Sequence, residues 1–134
     1  MQKNMYVRIG GELYPATIEG RVNRNWDDRM TKAITLEMDW SKAHELFVDG
    51  VKWAIVQRHE TPIYEMNEDG SFVLDENGNM IQTGTTNHDH EWDNSEYCLA
   101  GDLTDHRNGT ITAVMGKLTD LEAAYEIILG GMEV

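Results

Sequence analysis

Lys32-Ala33-Ile34-Thr35-Leu36-Glu37-Met38 alternates apolar and polar side chains, with Ile34, Leu36 and Met38 on one side and Thr35 and Glu37 on the other. A period of two is that of a half-buried β-strand. On its N-terminal side, Tyr6–Ile9 and Leu13–Val22 flank Gly10-Gly11, the residue pair of a tight hairpin turn. On its C-terminal side, Asp39 or Ser41 can cap a short helix through Val48, with Gly50 ending it. Trp40, Ala43 and Phe47 then line the buried side of that helix. Val51–Gln57, with Trp53, Ile55 and Val56, reads as a further strand.

The C-terminal part follows the same logic. Glu96–Asp105 reads as a strand, Asn108-Gly109 as a two-residue hairpin turn, and Thr110–Met115 as the returning strand. Thr119-Asp120-Leu121-Glu122 is a capping box, in which Thr119 bonds the amide of Glu122 and Glu122 reaches back. Leu121, Ala124, Tyr125 and Ile128 fall on one helical face, and Gly130 ends the helix. That face needs cover, and the sheet is the large apolar surface at hand. The expected fold class is α+β: a mainly antiparallel β-sheet with two short helices on one side and an acidic β-hairpin or loop insert.

The 134 residues fit a single domain, 1–134, and suffice for a core without staples. Two prolines exclude a proline-rich linker, and the single Cys98 excludes an intrachain disulfide. No apolar run is long enough for a transmembrane helix, and the start MQKNMYVRIGG carries no signal-peptide core. The expectation is a soluble protein of a reducing compartment, a bacterial host cytoplasm.

The formal net charge is −13, and its distribution is uneven. Between Arg58 and Arg107 there is no Lys or Arg but there are twelve carboxylates, so this stretch supplies −12 of the −13. The rest of the chain is nearly neutral. Residues 59–96 read as an acidic, histidine-containing insert. Such a field repels phosphate, which argues against direct nucleic-acid binding. It suits a solvated loop, a cation, or the basic groove of a partner protein.

Within the insert, Asn67–Leu74 is followed by Asp75–Gln82 with the same layout, an acidic Asx–Gly turn and then a short apolar run, at a period of eight. Each unit supplies one turn and one short strand. Glycine comes too early in both units for an EF-hand calcium loop. In the polar connection between Arg24 and Thr31, Trp26 is either folded back on the sheet or a contact residue.

Four of the five histidines lie within or at the ends of the acidic stretch. In an extended segment His88 and His90 point to one side and can reach one ion, and neutral imidazole suits zinc. A structural zinc site would combine His88, His90 and Cys98 with His59 or a carboxylate. On a regular strand His106 shares a face with Cys98 and Asp102 but lies about 26 Å from Cys98 at ~3.3 Å per residue. It joins the site only if the strand breaks at Gly101. The alternative is surface histidines and a buried thiol. An enzyme is disfavoured: carboxylates raise the Cys98 thiol pKa, the wrong direction for a nucleophile, and no glycine-rich phosphate loop is present.

In size, acidity and single-domain character the chain resembles small proteins encoded by phages and prophages. Among these it is similar in kind to anti-CRISPR proteins that act on Cas9, and it also resembles small phage head or tail components. The first resemblance implies binding without catalysis, with an acidic surface occluding the basic channel of a nucleic-acid-handling host protein such as Cas9. The acidic candidates for that contact are Glu65, Glu68, Asp69, Asp75, Glu76, Asp89, Glu91 and Asp93, with Trp92, Tyr64 or Trp26 as apolar anchors. The second resemblance implies a virion structural or assembly protein.

Overall fold

The computed structural model describes residues 4–132, with side chains up to residue 129. Seven strands and two helices follow in the order β1 (Met5–Ile9), β2 (Glu12–Asn23), β3 (Arg29–Glu37), α1 (Trp40–Leu46), β4 (Trp53–Tyr64), β5 (Gln82–Asp93), β6 (Leu99–Asp105), β7 (Thr110–Gly116) and α2 (Asp120–Met132). All strand pairs are antiparallel, and the sheet order is β5-β4-β1-β2-β3-β7-β6. This is the expected α+β architecture.

The hairpin turns lie where glycine permits a left-handed backbone. Gly10 and Gly11 have φ of 61° and 80°, the two positive values a type I′ turn needs. Gly109 has φ 90° at the β6–β7 turn. β2 is shared: Glu12–Pro15 pairs with β1, and Ala16–Asn23 pairs with β3.

The sheet must curl. β5 and β6 are its two edges, yet Asn94–Cys98 alone connects them. Six residue steps span about 21 Å at most. A flat seven-stranded sheet would separate its edges by about 29 Å at ~4.8 Å per interval. The crossing segment is held against the mouth of the curl. The Asn94 amide donates to Trp53 O at 2.9 Å, the Trp53 indole donates to Tyr97 O at 3.0 Å, and the Gly50 amide donates to Cys98 O at 2.7 Å.

The concave face holds the core. Val7, Ile9, Ala16, Ile34, Leu36, Trp53, Ile111, Ala113 and Met115 form one buried cluster with Ala43 and Phe47 of α1 and Tyr97 of the crossing segment. Asp39 caps α1, its carboxylate accepting from the Lys42 amide at 2.7 Å. Trp40, expected on the buried side, is exposed and stacks on His44 instead. In a helix of seven residues Ala43 and Phe47 already occupy the inner stripe.

Two expectations fail for identifiable reasons. On a regular strand Leu99 and Leu103, four residues apart, would share one face. A register shift between Ala100 and Leu103 puts Ala100 and Leu103 opposite Met115 and Ala113, on the core face, and turns Leu99 opposite Gly116, to the other side. The shift sits at Gly101, where an added Cβ would stand 2.8 Å from the Trp26 ring. Trp26 is therefore folded back on the sheet, over Gly101 and Gly116, where it remains half-buried.

The second failure is α2. The capping box forms as expected: the Glu122 amide donates to Thr119 Oγ1 at 3.2 Å, and the Thr119 amide donates to Glu122 Oε1 at 2.9 Å. The helix continues through Gly130-Gly131 to Met132. Its apolar face is not laid on the sheet, however. It is tethered by Arg29, whose guanidinium bonds Glu122 at 2.7 and 3.2 Å and stacks 4.5 Å from the Trp26 ring centroid. Arg29, like Thr31 and Gly116, belongs to the convex side, so the two helices lie on opposite sides of the sheet.

Candidate functional site

Among the described residues, exposed apolar side chains gather in two regions. The first is an arm. Among the described residues, β1 pairs with β4 as far as Gln57, the Arg58 amide bonds Asn4 O at 2.9 Å, and from His59 outward β4 pairs with β5. The two strands run on for about 20 Å at ~3.3 Å per residue before the tip. The acidic stretch begins inside β4, which passes through residue 59 unbroken.

The repeat builds the tip twice over. The Asn67 amide bonds Ser71 O and the Asp75 amide bonds Asn79 O, each at 2.8 Å. The Gly70 and Gly78 amides bond the carbonyls of Asn67 and Asp75, each at 3.0 Å. Both glycines have positive φ, and single bridges close the units, Met66 to Phe72 and Leu74 to Met80. Met66, Phe72, Leu74 and Met80 are all exposed, with Tyr64 edge-on to Phe72.

The arm's carboxylates divide into two sets. Asp89 is paired with Arg58 at 2.8 and 3.1 Å, and Glu91 with Arg8 at 2.6 Å. Asp69, Asp75 and Asp93 accept from turn amides at Ser71, Asn77 and Ser95. The Arg58 hydrogen bond holds Asp89 below the usual carboxylate range, and the Ser71 and Ser95 hydrogen bonds do the same for Asp69 and Asp93. These five groups hold the hairpin together as well as charging it. Glu65, Glu68 and Glu76 form no salt bridge among the described residues and point the charge outward. Trp92 is exposed and packs against His90, with ring centroids 4.6 Å apart.

The second region is the face of α2. Leu121, Tyr125 and Ile128 are 81, 62 and 58% exposed. Leu99, Leu118, Leu121 and Tyr125 line an open groove of about 570 Å³ between α2 and β6, with Glu122 and Glu126 at its rim. Burying such side chains stabilises a fold by roughly 1.5–3 kcal/mol each, so a helix that leaves three of them in water forgoes much of its ordinary support. Sequence reasoning identified the apolar face of α2 but gave it the wrong cover. It missed Leu99 and Leu118, because the shift that turns Leu99 outward depends on Trp26, distant in sequence.

The histidines and Cys98 do not converge. His59 lies directly opposite His88, and His90 lies opposite Gln57. Cys98 precedes β6, half-buried, with its carbonyl committed to Gly50. His106 Nε2 bonds Thr112 Oγ1 at 2.7 Å, which holds it at the β6–β7 end. Among the described residues no group of three His, Cys, Asp or Glu side chains is gathered around one point. The combination of Cys98 and His106 with the arm histidines is thus not brought together. Among the described residues, no helix is long and apolar enough to cross a membrane. No protein-family model matches the chain, no curated protein matches its sequence, and no solved structure matches its fold.

Proposed function

We propose that the protein is a non-catalytic assembly subunit of phage type, a virion structural or assembly component. It would join neighbouring subunits through two separate elements, the apolar groove of α2 and the tip of the arm. The observation that carries this reading is the face of α2, a well-capped helix whose apolar side chains Leu121, Tyr125 and Ile128 are mostly exposed among the described residues. The exposed tip residues Phe72, Leu74 and Met80 give a second, different contact. Two unlike patches on one chain suit head-to-tail association, whereas an occluding inhibitor needs only one. The resemblance to small phage head and tail components supports the same reading.

Light scattering on size-separated protein tests it. A chain of charge −13 repels its own copies, and salt screens that repulsion without weakening apolar contact. Self-association is expected to strengthen from low to high salt and to disappear in a Leu121→Glu, Tyr125→Glu double variant. A monomer at every salt and protein concentration overturns the reading.

A second reading rests on Glu65, Glu68 and Glu76, whose charge is not offset by a salt bridge among the described residues. On this reading the acidic arm docks in the basic groove of a nucleic-acid-handling protein such as Cas9 and occludes it. Salt then acts in the opposite sense, and the complex weakens as salt rises. Inhibition of purified Cas9 at low salt, lost in a Glu65→Gln, Glu68→Gln, Glu76→Gln variant, is the expected result.

A further inference from the structure

We propose that the arm carries a binding site for a divalent metal ion of the zinc class, with His59 and His88 as its two principal ligands and His90 as the third imidazole. The register places His59 directly across from His88, and His90 two residues along β5 from His88. Side chains two apart on a strand share a side, and directly opposed residues of an antiparallel pair do too. The three imidazoles therefore occupy three corners of a four-position patch on one face of the arm, with Gln57 at the fourth.

Directly opposed Cβ atoms stand about 4.5–5.5 Å apart. Two imidazole nitrogens at ~2.0–2.1 Å from a tetrahedral zinc need to approach to about 3.3 Å, which opposed side chains reach by rotation alone. As the side chains stand, no three potential ligands surround a common point. His59, His88 and His90 are all exposed, and among the described residues no ring contact or hydrogen bond has to be broken for the first two to turn toward one ion. No hydrogen bond among the described residues occupies the ring nitrogens of His59 or His88. By contrast, His106 is bonded to Thr112 and His44 is stacked on Trp40. His90 has to leave Trp92 to join.

The chemistry selects the class of ion. Imidazole nitrogen suits zinc and its neighbours, whereas calcium and magnesium prefer oxygen. The ion-paired carboxylates Asp89 and Glu91 project from the opposite face, so they do not supply that oxygen set. The surrounding charge raises the local concentration of any cation but does not choose among them.

Calorimetric titration of the full chain with zinc chloride, then with magnesium chloride, tests the assignment. One zinc per chain is expected, with no comparable magnesium isotherm. His59→Gln and His88→Gln should each weaken zinc binding by about tenfold or more, since each removes half of the principal ligand pair. His90→Gln should weaken it less, and His106→Gln not at all. Because these positions are exposed, a matched circular dichroism spectrum will show that the variants are folded. Proton–nitrogen spectra of the imidazoles should show His59 and His88 shifting together on zinc addition. Absence of a zinc isotherm overturns the proposal. So does zinc binding that survives His59→Gln and His88→Gln, which would place the metal on carboxylates elsewhere.

Discussion

The two helices differ in a way that isolates what holds each in place. α1 has seven residues and one turn-capping aspartate, but it buries Ala43 and Phe47 in the central cluster. α2 has thirteen residues and a complete capping box, yet Leu121, Tyr125 and Ile128 lie in solvent. Isolated helices shorter than roughly 12–15 residues are marginal in water, so the better-formed local sequence belongs to the helix with the weaker support. Local signals decide that a helix forms. Whether the same chain covers it depends on the shape of the sheet, and this sheet curls its apolar face inward around α1.

The largest expected effect tests that contrast directly. Phe47→Ala removes a buried aromatic from the core cluster and should cost about 3–5 kcal/mol in urea unfolding. Leu121→Ala, on the longer helix, should move the unfolding free energy of the monomer by no more than about 0.5 kcal/mol. A comparable loss from Leu121→Ala would mean that α2 is covered by its own chain after all.

The same division explains what could be read in the sequence. The strands around Lys32–Met38 and the turn at Gly10-Gly11 were legible because period and turn chemistry are local. So were the cap at Asp39 and the box at Thr119. The β6–β7 turn falls where Asn108-Gly109 placed it, but it is a four-residue connection, 106–109, with positive φ at Arg107 and Gly109, and not the expected two-residue turn. The length of β4 was not legible, because Arg58, His59 and Glu60 look like the end of an apolar strand. They continue it because β5 supplies a partner for every residue, with Arg58 meeting Asp89. Of the candidate site, the pairing of His59 with His88 and the packing of Trp26 over two glycines are long-range facts. No spacing rule reaches across the turns that create them.

An intermediate effect is expected at the junction of the two regions. Gly116 lies on the last residue of β7, and a Cβ there would stand 2.7 Å from the Trp26 ring and 2.8 Å from Arg29 Cδ. Gly116→Ala should therefore displace the tryptophan and the guanidinium together and destabilise by about 1–3 kcal/mol. It should also loosen α2, which is tied to the sheet through Arg29. Increased hydrogen exchange in α2 relative to β3 and β7 is the expected signature. Uniform exchange across all three would show that α2 and the sheet open as one unit.

The smallest effect is the most specific to that tie. Arg29 is buried and Glu122 is its partner, and their hydrogen bond, with further bonds from Thr119, lowers the Glu122 pKa from 4.5 to about 2. When α2 is released, Glu122 returns to the ordinary carboxylate range and binds its proton at higher pH. The tie therefore supports the docked helix fully above about pH 4.5 and is lost as pH falls through about 2. Asp69, Asp89 and Asp93 are also lowered, so acid weakens the arm in the same direction and a global melt alone does not separate the two. The difference between the parent chain and Glu122→Gln does. In the parent, α2 amide exchange should rise as pH falls below about 4.5, after correction for the intrinsic rate. In Glu122→Gln it should start higher and lose that step. An identical acid response in both would show that the Arg29–Glu122 contact does not anchor the helix, and that the capping box alone holds its first turn.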